Sequence, residues 1–347
     1  MPEISLCDGN FTRTKFVTLV DMVLLLHTGT IEEFDISGNK SYHDELGRWM
    51  LMLSRRSPRS VIINLNSGPR YRIPSYLFSI SDLESLDLEN CIISLPRVFQ
   101  GFKSLTYLSL ENFSSTDMDI QTLISSCPVL TDLTLTTVEG INCLNIQAPK
   151  LEFLNLEVAI FSLDHKAKAY QSVPIAHDKE SYVKQLLGSL SVIETLSVSG
   201  SLLRKYLTKG CTVTKFPIMF HRLENIFGIC IWDQRQISAT CSLFQNAPNL
   251  KMLELWSYPR ITWEQYQDQA SIQEFTREMQ MDHLVTANVK HFGGLNYEVD
   301  FVAKLLSWAP VLEEVKLEWK AETDRSKVLT KLLALPRVSP RAKIIVT

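Results

Sequence analysis

The residue types that perform catalysis or bind metals are scattered along this sequence rather than grouped. The seven cysteines stand singly, with no C-x-x-C pair and no Cys/His spacing typical of a zinc site. The sequence also lacks a Gly-rich phosphate loop, a G-x-S-x-G motif and a histidine pair at metal-ligand spacing. We therefore predict that the chain is not an enzyme, that it uses no cofactor or metal, and that most cysteines pack in the core.

The side chains best placed to do chemistry are carboxylates that alternate with leucines. The segments LESLDLENC, LTYLSLENF and LTDLTLTTV begin at Leu83, Leu105 and Leu130, and each opens with the spacing L-x-x-L-x-L. Steps of 22 and 25 residues between these starts are typical of leucine-rich repeats. The two leucines of L-x-L point the same way from a short strand, because side chains alternate along it. The acids between them then point away from the core.

Further copies of this spacing occur on both sides of the segment. They lie at Ile31, Phe34 and Ile36; Leu151, Leu154 and Leu156; Ile193, Leu196 and Val198; Ile226, Ile229 and Ile231; Leu250, Leu253 and Leu255; Leu284, Ala287 and Val289; and Leu312, Val315 and Leu317. Helical spacing over 14–27, 42–53 and 299–308 places helices between strands. The sequence thus predicts an α/β fold, a leucine-rich repeat solenoid in the form of a horseshoe or arch, with a parallel inner β-sheet and outer helices.

The sequence divides into two predicted regions. Residues 1–280 form the leucine-rich repeat region, with an inserted loop at about 158–180 where the period fails. Residues 281–347 form a C-terminal region that continues and caps the solenoid.

The predicted binding surface follows from the third, fifth and seventh places of each repeat, which face the open concave side. Those places hold ten acids and one base, Lys316, and such a wall favours a partner with a basic segment. The alternative, that the acids only solubilise the surface, stays open. The partner-binding candidates are Asp87, Glu89, Tyr107, Glu111, Asp132, Phe153, Glu157, Trp232, Met252, Glu254 and Trp256.

Trp232 and Trp256 occupy the seventh places of successive repeats, so they are expected to be exposed neighbours. The alternative is that the weaker distal repeats are shifted in register and these tryptophans lie in the core.

The overall charge and the N-terminus argue against nucleic acid and membrane partners. The net charge is −3, without a clustered basic excess. The N-terminus lacks the basic and apolar segments of a secretory signal, and the apolar run at 16–26 is too short to span a bilayer. We expect a soluble protein of the cytoplasm, the nucleus or both.

Over essentially its whole length the chain resembles plant F-box proteins with leucine-rich repeats and a C-terminal FBD region, and the C-terminal part is the most specific. The segments HFGGLNYEVDFVAKLLSWAPVLEEVKLEW and ALPRVSPRAKIIV carry this resemblance. The residues that match the family pattern are Phe292, Gly293, Glu298, Leu306, Ala309, Leu312 and Ile344.

The resemblance implies the substrate-binding part of an F-box subunit of a cullin-based ubiquitin ligase. The F-box expected before residue 10 is absent from this chain, so a Skp-type adaptor is an expected partner only if an F-box is present outside it. The alternatives are a free-standing interaction protein or decoy, and a small-molecule-sensing repeat receptor.

Overall fold

The computed structural model describes residues 3–141, 144–157, 190, 192–198, 219–231, 240–241, 243–257, 279–320 and 325–347. The chain forms two compact units, Met1–Tyr170 (unit 1) and Gln171–Thr347 (unit 2). The predicted inserted loop at about 158–180 lies outside the described residues. The predicted boundary at 280/281 is a division by sequence pattern and stays a prediction.

Unit 1 alternates strands with helices and turns. Its elements are β1 (Glu3–Cys7), α1 (Arg13–Leu26), β2 (Glu33–Gly38), α2 (His43–Ser54), β3 (Ser60–Leu65), β4 (Tyr71–Arg72), a 3-10 turn (Leu77–Ser79), β5 (Ser85–Glu89), β6 (Cys91–Ile92), β7 (Tyr107–Glu111), α3 (Asp117–Ser125), β8 (Asp132–Thr136) and β9 (Phe153–Glu157). The main sheet has the parallel order β1-β2-β3-β5-β7-β8-β9, and β4 pairs separately with β6.

The repeat leucines of unit 1 form its core, as predicted. Leu83, Leu86 and Leu88 are each at most 1% exposed, and the equivalent residues of β7, β8 and β9 are buried in the same way. Burying one such side chain contributes about 1.5–3 kcal/mol. Because these residues alternate with outward-facing ones, burial of the leucines fixes which side of the sheet faces solvent.

Unit 2 repeats the same design. Its described elements are β10 (Thr195–Val198), β11 (Asn225–Ile231), β12 (Met252–Ser257), β13 (Thr286–Phe292), α4 (Asn296–Trp308), β14 (Glu314–Trp319), α5 (Arg325–Leu333) and β15 (Lys343–Val346). These strands pair in parallel in chain order. No helix in the described ranges is long and apolar enough to cross a membrane.

The repeat assigned to Ile226, Ile229 and Ile231 is wrong in register. Ile226 pairs with Leu253, which is the fourth residue of the β12 repeat. Ile226 is therefore the fourth residue of the β11 repeat, which begins at the buried Leu223. A bulge between Ile226 and Ile229 adds a residue, and this makes the spacing resemble a later start.

The match to the FBD pattern centres on Glu298, which is buried at the start of α4. Its carboxylate accepts hydrogen bonds from the backbone nitrogens of Gly293 (3.1 Å) and Leu295 (2.7 Å), and from the hydroxyl of Ser257 at the end of β12. One carboxylate thus joins the end of a strand, a turn and the start of a helix.

Gly101 is required at a tight approach between a turn and the end of α3. Its φ is +83°, and a Cβ there would lie 2.3 Å from the carbonyl oxygen of Ser126. We expect Gly101→Ala to lower the free energy of unfolding by about 2 kcal/mol or more. Gly47→Ala is the matched control, because Gly47 lies inside α2 with nothing within 4 Å of its added Cβ. It should raise stability by about 0.5–1 kcal/mol in urea denaturation, and equal effects would contradict the strain at Gly101.

Substitution of Glu298 tests the junction in unit 2. Glu298→Gln keeps the shape but turns an amide group toward backbone donors, so we expect a loss of about 1.5–3 kcal/mol in the free energy of unfolding. Glu313→Gln is the control, since Glu313 is exposed and its contact with Arg341 is 4.0 Å long. Thermal and urea unfolding of both variants measure the difference, and a loss no greater for Glu298→Gln than for the control would rule out the proposed junction.

Candidate protein-binding face

The strand residues of unit 1 that alternate with the core leucines are aligned across its sheet in three rows, and two of these residues, Ser109 and Thr136, are buried. The proximal row contains Glu3, Glu33, Ser60, Ser85, Tyr107, Asp132 and Phe153. The middle row contains Ser5, Asp35, Ile62, Asp87, Ser109, Thr134 and Asn155. The distal row contains Cys7, Ser37, Asn64, Glu89, Glu111, Thr136 and Glu157. We call these rows together the acidic face.

Every charged residue in the three rows is an aspartate or a glutamate. In the described part of unit 1, the carboxylates of Asp35, Asp87, Glu89, Glu111 and Asp132 have no Lys, Arg or His nitrogen within 4.0 Å. The ion pairs of this unit, such as Arg13–Glu45 and Arg48–Asp21, involve residues outside the rows. The face therefore presents one sign of charge without internal counter-ions.

The centre of the acidic face is electrostatically crowded. Burial raises the pKa of Asp87; a hydrogen bond from Ser109 lowers it, and the carboxylates of Glu111 and Asp35 raise it again. Burial likewise raises the pKa of Glu89, and Glu111 and Asp87 add to the effect, while the amide of Asn66 opposes it. Burial and the neighbouring carboxylates thus oppose the ionisation of both groups.

Two aromatic residues flank an acid in the proximal row. Tyr107 pairs with Asp132, and Asp132 pairs with Phe153, on the successive strands β7, β8 and β9. Tyr107 is 38% exposed, as the sequence predicted, whereas Phe153 is half-buried. Asp132 accepts a hydrogen bond from Thr131 Oγ1 at 2.7 Å.

In unit 2 the equivalent surface already contains its own cation. Lys290 Nζ lies 2.9 Å from Glu254 Oε1 and 5.0 Å from the centre of the Trp256 ring. Trp256 Nε1 also donates to Glu254 Oε1 at 3.0 Å, and the ring of His291 meets that of Trp256 edge-on at 5.4 Å. Trp256 and Met252 are half-buried rather than fully exposed.

The predicted contact between Trp232 and Trp256 stays a prediction. The residue opposite Trp256 on β11 is Cys230, because the bulge shifts the pairing. Trp232 itself lies outside the described residues.

Lys316 is also not the only base on the predicted surface. Lys290 pairs with Trp256 across β12 and β13, and Lys343 pairs with Glu314 across β14 and β15. Lys290 occupies the seventh place of the repeat that begins at Leu284, so the spacing could have identified it. The small Ala287 makes that repeat inconspicuous.

Buried thiols and metal ligands offer no competing site among the described residues. Cys91, Cys127 and Cys241 are buried, which confirms their predicted packing, and burial raises the pKa of each thiol. They are therefore protonated and poorly nucleophilic. No group of three or more His, Cys, Asp or Glu in the described ranges is arranged to hold a metal ion.

The crowding of Asp87 and Glu89 predicts a pH-dependent stability. Their pKa values are raised in the folded state, so ionisation weakens folding as the pH rises through and above the ordinary carboxyl range, about 4. The double variant Asp87→Asn/Glu89→Gln should melt a few degrees above the unsubstituted chain at about pH 7. This advantage should disappear at about pH 3, where the carboxyls are protonated in both states.

A control double variant should show no such pattern. Asp82→Asn/Glu152→Gln makes the same change in net charge at exposed positions outside the rows. A neutral-pH gain of the same size in both variants would mean that general charge, rather than crowding in the acidic face, is responsible.

Comparisons with known proteins agree with the repeat pattern. Residues 46–167 match a family model described as "FBD-associated F-box protein At5g56370, LRR repeats". The chain is 28% identical to F-box/FBD/LRR-repeat protein At1g13570 of Arabidopsis thaliana, over 97% of this chain and 85% of the relative. It is 32% identical to F-box/FBD/LRR-repeat protein At5g56420 of the same plant, over 42% of this chain and 36% of the relative.

A third relative extends the likeness to another named group. F-box/LRR-repeat protein 13 of Arabidopsis thaliana is 24% identical over 87% of this chain and 76% of the relative. The family model and these three relatives are all named for leucine-rich repeats. Together with the registered repeat strands, they show that the chain is similar to plant F-box/FBD/LRR-repeat proteins.

Proposed function

We propose that the chain recognises a partner protein through the acidic face of unit 1, and that the partner contributes a basic segment. The observation that carries the proposal is the set of three registered rows in which every charged residue is an aspartate or a glutamate. Among the described residues, Asp87, Glu89 and Glu111 have no counter-ion. Carboxylates that served only to solubilise the surface could stand apart in water. Asp87 and Glu89 are instead half-buried and crowded by their neighbours.

The electrostatics favour an extended, basic peptide segment as the contacting part of the partner. Neighbouring rows are two residues apart along each strand, about 6.6–6.8 Å. Alternate side chains of an extended peptide have the same spacing, so basic residues at every second position can reach successive rows. Pairing them with Asp87, Glu89 and Glu111 removes like-charge repulsion, and the attraction weakens as salt is added.

We propose further that this recognition selects substrates for a cullin-based ubiquitin ligase. The support is the names of two relatives, At1g13570 and At5g56420, which combine an F-box, an FBD region and leucine-rich repeats. The chain would then act by positioning a substrate rather than by catalysing a reaction. The test is co-purification from plant cells of a form of the protein that carries an F-box. We expect a Skp-type adaptor and a cullin to be recovered with it, and their absence would oppose the proposal.

The acidic face can be tested directly with a basic peptide. The probe is a fluorescent nonapeptide with arginine at every second position and Gly or Ser between. We expect Glu89→Gln/Glu111→Gln to weaken its binding about tenfold, a difference of about 1.4 kcal/mol, in fluorescence anisotropy at about 50 mM salt. The dependence of affinity on salt should also become shallower.

The control has the same net charge at other positions. Asp82→Asn/Glu152→Gln should leave the affinity within about twofold of the unsubstituted chain, because these exposed residues lie outside the rows. An equal loss of affinity in both double variants would show that peptide binding depends on the net charge of the chain, and the proposed binding face would then be wrong.

A further inference from the structure

Within the proximal row, Tyr107, Asp132 and Phe153 differ from the rest of the acidic face because one acid lies between two aromatic residues. The three residues occupy directly paired positions on β7, β8 and β9, so the aromatic residues are the immediate neighbours of Asp132 on either side. We call these three residues the proximal slot. On the other side of Tyr107 the proximal row continues with Ser85, which has a small side chain.

The dimensions of the proximal slot suit a flat cation. Adjacent strands are about 4.8 Å apart, so the backbones at Tyr107 and Phe153 are separated by about 10 Å. A planar group packed between two rings needs about 7–8 Å between them, at van der Waals contact on each side. A lean of roughly 1 Å by each side chain would close this difference. Asp132 lies between the two aromatic residues in the strand register.

The chain itself provides an example of this recognition on the same kind of sheet surface. In unit 2 the ammonium of Lys290 binds the carboxylate of Glu254 and lies over the ring of Trp256. An acid and an aromatic residue of one sheet surface therefore hold a cation there. The proximal slot has the acid and the aromatic residues, but no Lys, Arg or His nitrogen lies within 4.0 Å of Asp132 among the described residues.

The hydrogen bonding of Asp132 is also incomplete in a way that suits a donor from outside. The hydroxyl of Thr131 donates to Oδ2 at 2.7 Å, and this contact holds the carboxylate in place. A carboxylate has about four acceptor positions, so further donors can bind it. Asp132 is half-buried, which strengthens a charge-assisted hydrogen bond relative to one in open water.

We propose that the proximal slot binds the guanidinium of an arginine side chain in the partner's basic segment. The proposal rests on the proposed function and specifies one residue of that partner. A guanidinium is flat, stacks on aromatic rings and donates two parallel hydrogen bonds to a carboxylate, whereas a lysine ammonium is a compact point charge. The slot therefore prefers arginine to lysine, while the other carboxylates of the acidic face respond to charge alone.

The test is a double-mutant cycle between the protein and the arginine nonapeptide. Each arginine is replaced in turn by citrulline, a neutral residue of almost the same shape. On the protein side the variants are Asp132→Asn and the pair Tyr107→Leu/Phe153→Leu, which keeps apolar side chains and removes both rings. The matched control is Glu111→Gln, an acid of the same face without aromatic neighbours in its row.

We expect Asp132→Asn to weaken binding of the arginine nonapeptide about tenfold. The same substitution should have no effect on binding of the nonapeptide in which one particular arginine is replaced by citrulline. The Tyr107→Leu/Phe153→Leu variant should couple to the same arginine. Replacing that arginine by lysine should weaken binding to the unsubstituted chain about threefold or more, and should make no difference to the variant without rings. Thermal unfolding confirms that each variant is folded.

Two failures are distinguishable. In the first, the nonapeptide binds and Glu111→Gln lowers its affinity, but the effect of Asp132→Asn on affinity is additive with the effect of every citrulline substitution. The proximal slot is then overturned, and the proposed acidic face stands. Equal affinity for lysine and arginine at the coupled position also overturns the slot. If the arginine and all-citrulline peptides bind the unsubstituted chain equally, the proposed function fails and the slot fails with it.

Discussion

The parallel register of the repeat strands is the constraint on which the rest of the molecule depends. Leu86, Leu108 and Leu133 pair directly and are buried, so each strand has no freedom to slide without exposing its leucines. The outward residues are then aligned across strands whatever their chemistry. Glu89 lies beside Glu111 because their neighbours Leu88 and Leu110 must pack together, and the core outweighs the repulsion that results.

The two units use the same scaffold for different surfaces. In unit 2 two of the outward acids have cations of their own, in the pairs Lys290–Glu254 and Lys316–Glu314. In unit 1 the outward acids have none among the described residues, and two of them have raised pKa values. A surface adapted only for solubility would gain from mixed charge, since that removes the repulsion. The one-sided charge of unit 1 is the feature that the proposed basic segment of a partner would complement.

The sequence was informative where the repeats are unbroken and misleading where the backbone departs from period two. Around Leu83, Leu105 and Leu130 the spacing correctly identified the core and the outward rows. At Ile226 the bulge adds a residue to the strand, and the spacing of apolar residues in the sequence does not reveal an unpaired residue. The contact of Lys290 with Glu254 depends on pairing between strands about thirty residues apart, which no local pattern contains.

The contrast between Trp256 and the proximal slot indicates where selectivity can arise. Lys290 is tethered beside Glu254 and Trp256 by the sheet, so it competes there at a high effective concentration against any cation from solution. A partner's lysine or arginine would have to displace it and would leave Lys290 without its carboxylate. At Asp132 no described residue of the chain competes in this way. A cation from a partner gains the full interaction there, so selection between basic segments is expected in unit 1.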